Sequence, residues 1–261
     1  MIRTLLIVAG ASLVLCVAAF AGAAALGGSD LREHGWTWTI PEDASGDGSI
    51  RMERGNQADQ PEVTRDLAWA GGDSLAVDMP GQVVFTQGPD VKMTVTGPKA
   101  LVDALRLVGN RLTLSEDGGR TERVHLRWRR DGIDGWSDTD RLRVTVSGPD
   151  VTNFALDGSG DLDIRGYDHP AINVAVNGSG EVTAQGRADT VAVSLSGSGD
   201  ADLSDVAARD ATVDIDGSGT VRVGPTGKAE IDLSGSGEVD LTRRPATLTQ
   251  TVTGSGDINQ Y

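Results

Sequence analysis

Alternation of apolar and polar residues dominates the second half of the chain. Six Gly-Ser-Gly triplets begin at Gly158, Gly178, Gly197, Gly217, Gly235 and Gly254, and apolar residues sit at fixed offsets around each. Four positions before the triplet stand Phe154, Val174, Val193, Val213 and Ile231, with Gln250 breaking the pattern in the last copy. Two before stand Leu156, Val176, Leu195, Ile215, Leu233 and Val252. On the far side, four after, come Leu162, Val182, Ala201, Val221, Val239 and Ile258, and six after come Ile164, Ala184, Leu203, Val223, Leu241 and Gln260. A period of two on both flanks predicts one strand entering each triplet and another leaving it, each burying a single face.

The triplets recur at spacings of 20, 19, 20, 18 and 19 residues, which is the signature of a solenoid. A lone hairpin of such strands is marginal, whereas coils stacked about 4.8 Å apart let each strand pair with the coil above and below. The expected fold is therefore all-β: a β-helix or β-solenoid of stacked coils of about 19 residues, with glycine at the corners where positive φ is needed. Polar Gln250 and Gln260 suit a terminal cap.

Upstream the pattern changes several times. Residues 1–29 join Arg3 to a charge-free apolar run and a small-residue exit, as in a signal peptide or membrane anchor, and predict an exported protein of the periplasm or cell envelope. An uncleaved segment would anchor it in the membrane. Residues 30–66 read as a polar, flexible tether in which Trp36-Thr37-Trp38-Thr39-Ile40 alternates like one short strand. Residues 67–147 read as the N-terminal β part of the solenoid domain, with strands at Leu75–Asp78, Val91–Val95 and Arg111–Leu114, a short helix over Lys99–Leu107, and a charged excursion at 115–141. Residues 148–261 are the Gly-Ser-Gly repeat itself.

Composition sharpens this picture in two ways. Glycine is abundant at 35 residues and aromatics make only 4%, so the core must be built from Val, Leu, Ile and Ala. The formal net charge of −15 argues against nucleic acid as a partner, because a phosphate backbone would repel it. Cys16 is the only cysteine, which removes internal disulfides from the argument.

Stacked in register, the residue after each triplet forms a row: Asp161, Glu181, Asp200, Thr220, Glu238 and Asp257. The five carboxylates are the candidate binding site, an acidic edge. Two like charges about 5 Å apart in water cost only about 1 kcal/mol, so the row needs no metal. No cofactor is expected, calcium being the ion its oxygen ligands would suit. Arg127, Trp128, Arg129 and Arg130 are a candidate anion or glycan contact. The triplet serines read as turn residues whose hydroxyls bond neighbouring turns, and His34, His125 and His169 lack zinc spacing. His169 next to Asp168 is a lone His-Asp pair in a loop.

The turns Gly158-Ser159-Gly160-Asp161, Gly178-Ser179-Gly180-Glu181, Gly197-Ser198-Gly199-Asp200, Gly235-Ser236-Gly237-Glu238 and Gly254-Ser255-Gly256-Asp257, with Leu75-Ala76-Val77-Asp78 and the run Leu142 to Pro149, resemble the head GIN domain family of auto-transporter adhesins. The resemblance covers residues 67–261. It implies a β-helix in the bacterial cell envelope and brings no catalytic residues with it. The function expected is a non-enzymatic envelope module binding or adhering to a glycan, protein or cell-wall component. The alternative is a carbohydrate-active enzyme, a polysaccharide lyase or hydrolase, since β-helices also host clustered carboxylates.

Overall fold

The computed structural model describes residues 36–41, 51–54, 61–115, 121–129 and 132–261. The apolar stretch 1–29 and Arg130 lie outside the described residues. In chain order the elements are β1 (Trp36–Pro41), β2 (Arg51–Arg54), β3 (Glu62–Leu67), β4 (Ser74–Asp78), β5 (Gln82–Gln87), β6 (Lys92–Pro98), α1 (Lys99–Ala104), β7 (Leu105–Val108), β8 (Arg111–Leu114), β9 (Thr121–Arg129), β10 (Gly132–Ser137) and β11 (Arg143–Gly148). There follow β12 (Asn153–Gly158), β13 (Asp161–Asp168), β14 (Ala171–Gly178), β15 (Glu181–Gly197), β16 (Asp200–Gly217), β17 (Thr220–Pro225), β18 (Lys228–Gly235), β19 (Glu238–Leu241), β20 (Thr247–Gly254) and β21 (Asp257–Gln260). They divide into two units, one drawn from residues 1–59 and 120–138 and the other from 60–119 and 139–261.

The smaller unit is a four-stranded antiparallel sheet in the order β10-β9-β1-β2. Trp36 pairs with Leu126 and Thr39 with Arg123, while Trp38 faces Met52 of β2. Three pieces of the stretch 30–66, read as a tether, are strands: β1, β2 and most of β3. The alternation at Trp36–Ile40 finds its partners far along the chain in β9, a pairing that no local pattern announces.

The larger unit is the solenoid. On its entry side, strands running into each triplet stack in parallel: β4, β12, β14, the second half of β15, the second half of β16, β18 and β20. On its exit side, β5, β13, the first halves of β15 and β16, then β17, β19 and β21 stack in the same order. A short third side closes each coil, as where Tyr167 and Asp168 register with Gly186 and Arg187. Register is strict, so Phe154, Val174, Val193, Val213 and Ile231 lie on consecutive rungs. All five are buried, as are the Leu156-to-Leu233, Leu162-to-Val239 and Ile164-to-Leu241 ladders. Three aromatics sit together where the stack begins: Phe85 to Phe154 is 5.1 Å and Phe154 to Tyr167 is 6.1 Å between ring centres, both edge to face.

Corners depend on both glycines, for different reasons. Gly178 has φ of 125°, and a Cβ there would meet the Gly158 carbonyl oxygen at 2.5 Å. Gly199, the second of its triplet, needs no positive φ, but its added Cβ would lie 2.5 Å from the Gly180 oxygen and 2.9 Å from Val176 Cγ1. Rung spacing leaves no room for a side chain there. The serine between them works through its backbone: the N–H groups of Ser198, Ser218, Ser236 and Ser255 each donate to the first glycine of the preceding triplet at 2.8 Å. These serines are exposed, and the turn-to-turn bonds come from the main chain rather than the hydroxyls.

One coil lacks the signature. β4 and β5 register with β12 and β13, and Met79 to Gly81 form the corner beneath Gly160. β11 then inserts beside β5, parallel to it and antiparallel to β6, with β3 beyond. The helix stops at Ala104 instead of running to Leu107, because Leu105–Val108 turns extended and pairs with β8. α1 buries Leu101 and Val102 in this end of the core.

Candidate functional site

The exit side begins immediately after each corner, so the stack fixes the row the sequence singled out. Asp161, Glu181, Asp200, Thr220, Glu238 and Asp257 register rung upon rung. Parallel strand spacing sets about 4.8 Å between neighbours. The five carboxylates are exposed and Thr220 is half-buried. Two are already tied to the next rung: Asp200 Oδ1 accepts from the Thr220 N–H at 3.0 Å, and Glu238 Oε1 from Asn259 Nδ2 at 2.6 Å. Asp161, at the start of the row, differs. Partial burial, then the nearby charge of Asp140, raises its carboxyl above the ordinary aspartate value.

Two positions further along each strand lies a second row that the sequence reading passed over: Asp163, Thr183, Asp202, Arg222, Asp240 and Asn259. Arg222 is set between two carboxylates, with Nε 3.3 Å from Asp240 Oδ2 and a guanidinium nitrogen 3.8 Å from Asp202. Asn259 completes Asp240 with a donor at 3.1 Å. The period of two that places Asp161 and its successors outward also places this row outward, so counting one further polar offset would have found it. Among the described residues no three His, Cys, Asp or Glu side chains group so as to hold a metal ion; both rows are linear.

Across the corner, the entry side carries an open depression of 410 Å³. Ala76, Ala155, Ala175 and Ser194, stacked rung on rung, line it, along with Asn153, Asn173 and Thr212. Asn173 Nδ2 donates to Asn153 Oδ1 at 2.9 Å, and Asn177 Nδ2 to Asp157 Oδ1 at 2.8 Å. Asp157 also pairs with Arg111. The Asn177 bond first, then Arg111, holds its carboxyl below the usual range.

Arg127, Trp128 and Arg129 lie on β9, opposite Asp134, Ile133 and Gly132 of β10; their side chains, like the whole of Arg130, fall outside the description. The His169-Asp168 pair is not brought together as an acid-base couple. Arg187 holds both carboxylate oxygens of Asp168 at 2.8 Å, while His169 turns its ring toward Tyr167 and its buried Nδ1 has no hydrogen-bond partner among the described residues.

Residues 73–245 match a family model described as "Putative auto-transporter adhesin, head GIN domain". The chain belongs to the head GIN domain family. No curated protein matches the chain in sequence. Among solved structures, a putative adhesin from Bacteroides fragilis superposes with a TM-score of 0.57 at 17% identity, covering 77% of this chain and 98% of that one. A putative adhesin from Parabacteroides merdae is similar at a TM-score of 0.44 and 13% identity, over 77% of this chain and 96% of that one. A putative lipid binding protein from Parabacteroides distasonis gives 0.43 and 16%, over 78% and 98%. The Bacteroides fragilis structure shares the fold. The head GIN match starts at the coil without a Gly-Ser-Gly corner and ends ahead of β20, which agrees with β4 and β5 being the first coil of the stack.

Proposed function

We propose that the chain is a non-enzymatic, exported cell-envelope module that adheres to a glycan, protein or cell-wall component through the acidic row of its exit side. The single observation that supports this most is the register that puts exposed carboxylates on five of six consecutive rungs, with Thr220 on the fourth. From Asp161 to Asp257 the row extends over about 24 Å, taking about 4.8 Å per rung. Such spacing suits a partner that presents cationic or hydroxyl groups at repeated intervals, and many weak contacts along one edge add up by multivalency. The adhesin name of the family and of the Bacteroides fragilis neighbour is in keeping with this role. Calcium, if taken up, would bridge the row to an anionic or polyhydroxyl partner through oxygen ligands.

The test is retention of the full chain on a panel of glycans, isolated cell-wall material and envelope proteins, with and without added calcium. Salt-sensitive retention on at least one member is expected. Silence across the whole panel would leave only a scaffold role, and release of sugar products dependent on Asp161 and Asp200 with the fold intact would establish the enzyme alternative instead.

A further inference from the structure

We propose that two copies of the chain join end to end through β20, pairing antiparallel across a two-fold axis at Gln250. β20 registers with β18 from Thr247 opposite Lys228 to Gly254 opposite Gly235, and among the described residues with no other strand. The Thr247 N–H bonds back to the Gly227 carbonyl. Main-chain groups alternate sides along a strand, so Leu248, Gln250 and Val252 present their N–H and C=O groups to the open edge. That edge has none of the usual protection: it is eight residues long, carries no charged residue and no proline, and runs without a register shift. In a chain of net charge −15, contact with a second copy calls for an uncharged surface, and β20 supplies one.

The strand also reads the same in both directions by chemical type: Thr247-Leu248-Thr249-Gln250-Thr251-Val252-Thr253. Antiparallel pairing about Gln250 sets Leu248 opposite Val252, Thr249 opposite Thr251 and Thr247 opposite Thr253, like with like at every rung. The hydrogen-bonded pairs then fall on Leu248, Gln250 and Val252, the residues whose main-chain groups face outward. Threonine pairs across strands are favourable as well.

Burial points the same way. The residues registered with Val252 in the preceding coils, Leu233, Ile215, Leu195, Val176, Leu156 and Val77, are each at most 1% exposed, whereas Val252 is 43% exposed. The opposite end of the core is covered by α1. Self-pairing of β20 places Leu248 and Val252 of each copy against the other's and continues both sheet and core across the axis. It does not rest on the acidic row.

Sedimentation of the full chain in detergent micelles tests this. The chain should run at twice its mass, and Thr249→Lys/Thr251→Lys, which alters only exposed side chains, should run at its single mass with an unchanged far-UV circular dichroism spectrum. Ala192→Lys/Ser194→Lys, on an inner rung, should keep the doubled mass. A monomeric wild type, a dimer that survives the β20 lysines, or equal loss from the inner-rung lysines overturns the proposal.

Discussion

At the scale of single residues, the corners carry the strongest constraints. Gly199 lies against the Gly180 carbonyl and Val176, backbone on one side and packed core on the other, so neither neighbour can retreat cheaply. Gly199→Ala should lower unfolding stability by about 3 kcal/mol, while Ser198→Ala next to it should change it by less than about 0.5 kcal/mol. Urea unfolding of the two variants reads the contrast directly. Tyr167 makes a second residue-scale prediction. Its ring is buried, its hydroxyl donates to the Ala171 carbonyl at 2.5 Å, and burial pushes its pKa up to about 12. The unfolded chain loses that proton near pH 10 while the folded chain retains it, so the phenol's contribution is full below about pH 10 and falls as pH rises through about 12. Unfolding followed across that range should show a decline in the wild type that Tyr167→Phe lacks. Asp161 has the same sign, an acid raised by burial. Asp161→Asn should therefore hold or slightly raise stability at neutral pH.

At the scale of elements, the ladders decide stability, and Arg222 is the informative rung. It bridges Asp202 and Asp240 from the strand between them, and the Asp240 side chain is only 12% exposed. Arg222→Met should cost about 1 kcal/mol by removing the cation that Asp240 and Asp202 share, and most of that should return when Asp240→Asn is added. Urea unfolding of the single and double variants measures the recovery. The elements also show how far sequence could reach. Every rung from Phe154 to Leu241 was legible because the period of two and the fixed triplet offsets are local. The coil made by β4 and β5 was not, since its corner at Met79–Gly81 lacks the triplet and the chain leaves for β6, α1 and more before returning at β12. Pairings such as β11 with β5, or β1 with β9, join residues far apart in sequence and depend on tertiary fit. The second row at Asp163 and Arg222 was present in the same offsets as the first, but its meaning comes from side-chain pairing that only the stacked strands reveal.

At the scale of the whole molecule, charge and repetition act together. A chain of net charge −15 has set exposed carboxylates in line along one side of its solenoid, and the low cost of such spacing in water lets the row remain solvent-facing and available to a partner. The chain belongs to the head GIN domain family and shares its fold with the Bacteroides fragilis structure. The most direct measurement is retention of the full chain on cell-wall and glycan supports, compared with a variant carrying Asp161→Asn, Glu181→Gln, Asp200→Asn, Glu238→Gln and Asp257→Asn. With the circular dichroism spectrum unchanged, the variant should bind at least about tenfold more weakly, a loss of about 1.4 kcal/mol, and lose its salt dependence. Equal retention of both proteins would contradict the acidic row as the contact surface.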